Sequence, residues 1–273
     1  MERRVVVTGL GAITPIGNNV DELWEGIKEK RCGIDEITLF DTTNSKVKIA
    51  AEVKNFNPEE VFDRKTAKRL DRFSHFALIA AKEAMQDSKI DIEKIDSTRF
   101  GIAISSGIGG QTTIESSCKN LFEKGPDRVP PMFIPMGIGN MAAGNVSIEL
   151  GIKGESFDVV TACAGGTHAI GEAYRLIKHG YQDIMMCGGA EASIIPLGIA
   201  GFANMKALST ETDKTRASIP FDKERSGFVM GEGAGVLILE EYEHAKKRGA
   251  KIYAEVVRIF CNVRCLSYNI TFT

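Results

Sequence analysis

The stretch from Ser156 to Ala173 constrains the fold more than any other part of the chain. Residues 157–162 are mostly β-branched and apolar, a pattern that predicts a short buried strand. After Gly166 the apolar residues recur at helical spacing. Cys163 lies where one period replaces the other, so we expect its side chain to project from a tight strand-to-helix turn. Small neighbours would let the backbone turn sharply and a substrate come close, namely Ala162, Ala164, Gly165 and Gly166.

This position favours a reactive thiol at Cys163. The N–H groups at the start of a helix and the positive end of its dipole stabilise a thiolate. The same groups can receive an oxyanion that forms beside the sulfur. The alternative is a buried cysteine that packs as a small apolar residue. The small neighbours and the strand–Cys–helix context favour the nucleophile.

The segment from Thr161 to Gly171, which reads TACAGGTHAIG, resembles the nucleophile motif of the β-ketoacyl-acyl-carrier-protein synthases. The similarity is greatest to the synthase II group of bacterial fatty-acid synthesis, and it runs densely from Met1 to about Val257. Gly165 stands where threonine or serine is more usual, and we expect the turn to tolerate the change.

The composition indicates an intracellular globular protein. With 273 residues, 43% of them apolar, and a net charge of −2, the chain can form one or two domains with a real core, and nothing indicates nucleic-acid binding. Six cysteines without a Cys-x-x-Cys pair suit a reducing compartment better than a disulfide framework or a zinc site. We find no signal peptide and no membrane-spanning stretch, and we expect a cytoplasmic location.

Strands that alternate with helices predict an α/β fold with a mainly parallel sheet. We expect strands at residues 4–8, 100–105, 183–187, 236–239 and 252–257. We expect helices at residues 20–30, 141–150 and 241–248, the first with Leu23, Trp24 and Ile27 facing inward, and a mostly helical stretch at 61–88. The resemblance implies a thiolase-like fold of two βαβαβ halves. This chain would supply the N-terminal synthase domain at 1–250 and the opening strand of the C-terminal half at 251–257.

Two glycine-rich segments suggest nucleotide binding only weakly. Gly9-Leu10-Gly11 is half of a dinucleotide fingerprint, but the third glycine is replaced by Thr14 and Pro15 follows it. The loop at 106–110 could cradle a phosphate, but it has no lysine in the required position. The resemblance likewise implies no metal and no organic cofactor.

A basic run follows residue 63 and ends at Arg72. It is either a solvated face or a dock for an acidic carrier protein. The resemblance implies that Lys65, Lys68 and Arg69 help to dock acyl carrier protein, with Arg128 and Lys206 as weaker candidates.

The resemblance also assigns an acyl pocket. Ile108 would line it at or near a homodimer interface, and Phe202 would lie along the acyl channel. Ile108 as an ordinary core residue remains an alternative.

The resemblance stops at Arg258, and we expect residues 258–273 to be out of frame. Codons can be chosen for this tail such that reading one base later gives GYFVTCDAYHIT, which resembles the continuation of the family. The gene sequence decides the matter, because the hypothesis fails if its shifted frame gives no such peptide.

The implied reaction begins when Cys163 takes the acyl group of an acyl-carrier thioester. Decarboxylated malonyl carrier protein then attacks, giving a 3-oxoacyl thioester and CO₂. The family's two catalytic histidines come from later motifs, and the four histidines of this chain match neither: His75, His168, His179 and His244. We interpret His168 as a packed helix residue.

Three alternatives remain open. The chain could be a catalytically incompetent fragment of such a synthase. It could be a thiolase that uses coenzyme A thioesters and needs no basic dock, or a cysteine hydrolase, for which no histidine partner can be placed.

Overall fold

The computed structural model of the chain describes residues 3–259. From residue 260 onward, the tail predicted to be out of frame lies outside the described residues.

The described chain alternates strands and helices. The strands are β1 (Val5–Ile13), β2 (Asp35–Glu36), β3 (Ile49–Ala50), β4 (Phe100–Ser105), β5 (Ser156–Phe157), β6 (Ile184–Glu191), β7 (Gly233–Glu241) and β8 (Ala254–Glu255). The helices are α1 (Val20–Lys28), α2 (Pro58–Val61), α3 (Arg64–Ala67), α4 (Arg72–Ser88), α5 (Gln111–Lys124), α6 (Phe133–Gly137), α7 (Met141–Leu150), α8 (Gly165–Lys178), α9 (Pro196–Asn204) and α10 (Tyr242–Lys247). The bounds of β4 and α7 coincide with the sequence predictions.

Within the described residues, six strands form the central sheet in the order β5-β4-β6-β7-β1-β8. Strand β4 pairs in parallel with β5 and β6, whereas β7 runs antiparallel to both β6 and β1, and β8 runs antiparallel to β1. The prediction of an α/β fold is confirmed, but that of a mainly parallel sheet is wrong. The connection from β6 to β7 starts and ends at the same end of the sheet, so β7 returns antiparallel.

Helices cover both faces of this sheet. On one face α4 packs against β1, β7 and β6, and α7 packs against β4, and Phe73 and Phe76 of α4 are fully buried in the same apolar cluster as Ile102. On the other face α8 buries Ala173 and Ile177 against the remaining residues of the same strands. Because successive residues of a strand point to opposite faces, an uninterrupted apolar run such as that of β4 serves both layers.

Strand β1 continues through Gly9 and Gly11, beyond the strand predicted at residues 4–8. A Cβ on Gly9 would overlap the backbone oxygen of Ala84, and one on Gly11 would overlap that of Ala80. The two glycines therefore let the backbone of α4 lie directly on the strand. This close packing explains the motif without any nucleotide.

The stretch at 61–88, expected to be mostly helical, is helical but divided into the end of α2, α3 and α4, because Asp63 and Asp71 each cap a new helix start. One expectation for α1 is wrong. In α1 the side chains of Trp24 and Ile27 are exposed, at 59% and 51% of their accessible area, rather than inward. The buried side of this helix instead carries Gly26, which lies against Ile16.

No helix among residues 3–259 combines the length and apolar character needed to cross a bilayer. Strand β8, from the segment assigned to the second half, pairs with Val6 and Val7 at the edge of the central sheet.

Candidate active site

Cys163 lies in a single 3₁₀ turn, Ala162–Ala164, directly before α8. The prediction of a strand-to-helix change at this residue is close, but the buried strand expected at 157–162 is wrong. The strand ends at Phe157, and Val160 is 64% exposed. Among residues 3–259, β5 is an edge strand of the sheet with β4 on one side only, so the apolar run that follows it is not covered on both sides.

The turn holds Cys163 in an unusual backbone setting. Ala162 has a φ of +48°, in the left-handed region that residues other than glycine rarely adopt. Neither Thr161 nor Ala164 caps the helix start with its side chain. The first amide groups of α8 and the exposed Cys163 are therefore at the same end of a long helix, where the partial positive charge favours an anion.

Gly165 is the first residue of α8 and lies against the end of β4. The Ser105 hydroxyl donates a hydrogen bond to the Val159 backbone oxygen at 2.6 Å. A Cβ on Gly165 would overlap this hydroxyl and would come within 3.1 Å of the Ser105 Cβ and 3.2 Å of the Val159 oxygen. A side chain at position 165 would therefore have to displace the Ser105 hydroxyl, whereas glycine fits the turn without any rearrangement.

Cys163 opens into a cavity of about 880 Å³ whose wall is mostly apolar. Both residues expected to contact an acyl chain, Ile108 and Phe202, lie in the same wall. Ile108 is 45% exposed and is not an ordinary core residue. The arrangement provides a deep apolar space beside an exposed thiol.

The sequence did not predict that Phe228, Met205 and Glu191 line this wall. Phe228 packs edge-on against Phe202, with ring centroids 5.5 Å apart, and Met205 lies beside them. Phe228 lies in a glycine-rich stretch that runs from Gly227 to Gly235. The third is Glu191, and a carboxylate at the end of a buried strand is the signal that could have identified it.

Several hydrogen-bond donors surround the Glu191 carboxylate. Its carboxylate accepts hydrogen bonds from the Gly107 amide at 2.7 Å and the Ser193 hydroxyl at 3.1 Å. Burial raises the pKa of Glu191 above its ordinary value, and these hydrogen bonds oppose that shift by favouring the charged form.

The five residues expected to dock a carrier protein are all exposed: Lys65, Lys68, Arg69, Arg128 and Lys206. None of them forms an ion pair with another residue in the 3–259 range. Arg72, which ends the basic run, is different. It binds the buried Glu232 at 2.5 and 2.8 Å and lies over the ring of Phe76.

The histidines lie elsewhere. His168 faces Glu172 at 3.2 Å and the Thr161 hydroxyl at 3.4 Å, and His75 stacks on Phe62 within the core. Within the described part of the chain no histidine lines the cavity. No group of three or more possible metal-ligating side chains occurs among residues 3–259.

The fold and the site define a class, that of the thiolase-like ketosynthases. The solved ishigamide ketosynthase/chain length factor superposes with a TM-score of 0.86 at 32% identity, covering 94% of this chain and 62% of that one. A β-ketoacyl synthase from Burkholderia phymatum STM815 gives 0.83 at 35% identity, with 94% and 63% covered. A ketosynthase in complex with its type II PKS acyl-carrier protein also gives 0.83, at 34% identity, with 93% and 62% covered.

The family model for the N-terminal domain of β-ketoacyl synthase matches residues 2–245. This chain therefore belongs to the β-ketoacyl synthase family. It is 51% identical over 271 residues to 3-oxoacyl-[acyl-carrier-protein] synthase 2 of Synechocystis, covering 99% of this chain and 65% of that protein. It is also 51% identical over 255 residues to the synthase of the same name from Staphylococcus aureus strain COL, covering 93% and 62%. The chain thus spans a little under two thirds of the length of these relatives.

Proposed function

We propose that this chain accepts an acyl group from a thioester onto Cys163. The observation that carries the proposal is the exposed Cys163 at the start of α8, which opens into the 880 Å³ apolar cavity. The thiolate attacks the carbonyl carbon of the thioester, and the oxyanion that forms is favoured by the helix start. The carrier thiol then leaves and takes up a proton, and the acyl group remains on Cys163.

The acyl chain enters the cavity past Ile108 and Phe202. In a protein of the relatives' full length, the second step is condensation. Loss of CO₂ from a malonyl thioester provides the carbanion equivalent, which attacks the acyl–Cys163 carbonyl. A carbon–carbon bond forms, the Cys163 thiolate leaves, and the product is a 3-oxoacyl thioester in fatty-acid synthesis.

For this chain of 273 residues we propose that catalysis stops after the first step. The cavity wall among the described residues has no histidine to assist decarboxylation, and the chain's four histidines are engaged elsewhere or lie away from the cavity. The chain is therefore a partial enzyme, which accepts the acyl group and does not extend it.

Incubation of the purified chain with lauroyl-N-acetylcysteamine tests the first step. We expect intact-protein mass spectrometry to show one acyl adduct, and peptide mapping to place it on Cys163. Adding radiolabelled malonyl carrier protein should give no 3-oxoacyl product above background.

The control is Cys163→Ala, which should carry no adduct. Exposed Cys118 serves as an internal comparison, since it lies outside the cavity wall. Acylation of Cys163 and Cys118 at equal rates would refute the proposal. Condensation above the Cys163→Ala background would refute its second part.

We further propose that the acyl donor is acyl carrier protein. A solved relative holds such a carrier in complex with its ketosynthase. Lys65, Lys68 and Arg69 are exposed close together along α3 and its C-terminal end, and none of them has an ion-pair partner among the residues from 3 to 259. Unpaired basic side chains attract an acidic partner most strongly at low salt.

Reversing these charges should weaken transfer from the carrier without affecting the thiol. We expect Lys65→Glu/Lys68→Glu to lower the kcat/KM for acyl transfer from acyl carrier protein about tenfold or more at low ionic strength. Transfer from lauroyl-N-acetylcysteamine should be unchanged, because that donor carries no acidic surface.

Lys119→Glu/Lys247→Glu is the matched control, since it changes the net charge equally at two exposed positions elsewhere. If both pairs slow carrier-dependent transfer alike, only net charge matters and the proposed dock is wrong.

We also propose that two copies associate through the edge of the sheet at β5. Helix α6 packs on α5 and α7, and α7 packs on β5, so their outer faces are contiguous. This surface exposes large apolar side chains, namely Phe122, Ile134, Ile138, Ile148 and Val160. An unpaired strand edge beside an apolar surface favours association.

Sedimentation equilibrium should therefore detect a dimer, and Ile148→Asp should shift it to monomer, because a charge cannot be buried there without a partner. Phe221→Asp is the control, since this 98%-exposed residue lies on the separate 209–229 loop. A monomer at every accessible concentration would contradict the proposal.

A further inference from the structure

Glu191 is the one acidic side chain of the cavity wall without a cationic partner among residues 3–259. The other, Glu232, is neutralised by Arg72. Glu191 ends β6, and its carboxylate faces the loop at 106–110. The backbone amide of Gly107 donates a hydrogen bond to it at 2.7 Å. The hydroxyl groups of Ser193 and Ser106 complete the set at 3.1 and 3.4 Å.

Backbone amides on both sides of Ile108 donate hydrogen bonds that hold this loop in place. The Ser106 amide donates to the Asp158 carboxylate at 3.2 Å, and the Gly109 amide donates to the Ser106 hydroxyl at 2.9 Å. The Gly110 amide donates to the Gly137 oxygen at 3.0 Å. At Gly107, however, the acceptor is the Glu191 carboxylate. The backbone that carries the Ile108 side chain is therefore oriented by one acidic group.

The contact at Gly107 is close. A Cβ at this position would lie 2.8 Å from the Glu191 oxygen and 4.0 Å from the Cα of Ala162. The loop thus fills the space between Glu191 and the turn that carries Cys163. A small rotation of the loop would change how far Ile108 projects into the cavity beside the thiol.

We infer that Glu191 is a positioning residue that sets acyl-chain selectivity by fixing the Gly107–Ile108 backbone, and hence the place of the Ile108 side chain in the cavity. This rests on the proposed function, because the selectivity is that of acyl transfer to Cys163. A charged carboxylate suits the role, since its two oxygens can accept four donors at once. Glutamine has one acceptor oxygen, and its NH₂ group would face N–H and O–H donors.

The test compares hexanoyl- and myristoyl-N-acetylcysteamine as donors to the full chain. We expect Glu191→Gln to raise the myristoyl-to-hexanoyl ratio of acylation rates about tenfold, because a released Ile108 no longer restricts the depth of the cavity. Alkylation of Cys163 by iodoacetamide should keep its rate, since this small reagent does not use the cavity. Ser193→Ala, which leaves the Gly107 amide bond to Glu191 intact, is the matched control and should change the ratio little.

A double mutant tests whether Glu191 acts through Ile108. In an Ile108→Ala background, Glu191→Gln should no longer change the ratio, because the side chain to be positioned is absent. An unchanged ratio in Glu191→Gln, or an equal change in both backgrounds, would overturn the inference. So would a parallel fall in the iodoacetamide rate, which would indicate general disturbance of the turn.

These outcomes are separable from failure of the proposed function, which would appear as no acylation of the unsubstituted chain by either donor. If Glu191→Gln does not fold, Ser106→Ala replaces it. That variant removes one donor to Glu191 and the acceptor of the Gly109 amide, and it must shift the ratio in the same direction. No shift would again overturn the inference.

Discussion

The architecture around Cys163 depends on one packing contact, that between Gly165 and Ser105. Strand β4 must end close to the start of α8 if the thiol is to lie over the cavity, and a side chain at position 165 would separate them. The Ser105 hydrogen bond to Val159 fixes the chain just before the turn. Absence of a Cβ, rather than any attractive contact, brings the nucleophile turn against the sheet.

The absence of a Cβ also permits close backbone packing at Gly9 and Gly11, where α4 lies on β1. Close backbone packing on both sides of the sheet leaves little room for adjustment, because protein interiors are packed as densely as organic crystals. The strained backbone at Ala162 persists in such a rigid surrounding. The loop that follows β4 then brings Ile108, and the end of β6 brings Glu191, to one cavity, and the chemistry of transfer requires only that a thioester reach Cys163.

Much of this could be predicted from the sequence. Regular apolar spacing predicted β4, α7 and α8, and the change of period identified Cys163. The family resemblance predicted that Ile108 and Phe202 line one acyl pocket, and both residues lie in the wall of the cavity beside Cys163. Periodicity could not predict the direction of β7, which depends on where a long connection re-enters the sheet. It also could not distinguish a buried strand from an exposed edge at Val160, because burial there depends on neighbours distant in sequence.

The unfolding free energies of Gly165→Ala and Gly166→Ala, measured with the iodoacetamide rate at Cys163, test the central claim most directly. Both substitutions have the same helix propensity effect, but a Cβ on Gly166 has its nearest neighbour at 3.6 Å. We predict that Gly165→Ala is less stable than Gly166→Ala by about 2 kcal/mol and alkylates more slowly, and that adding Ser105→Gly restores much of both losses. Equal stability of the two variants, with an unchanged alkylation rate in Gly165→Ala, would contradict the account.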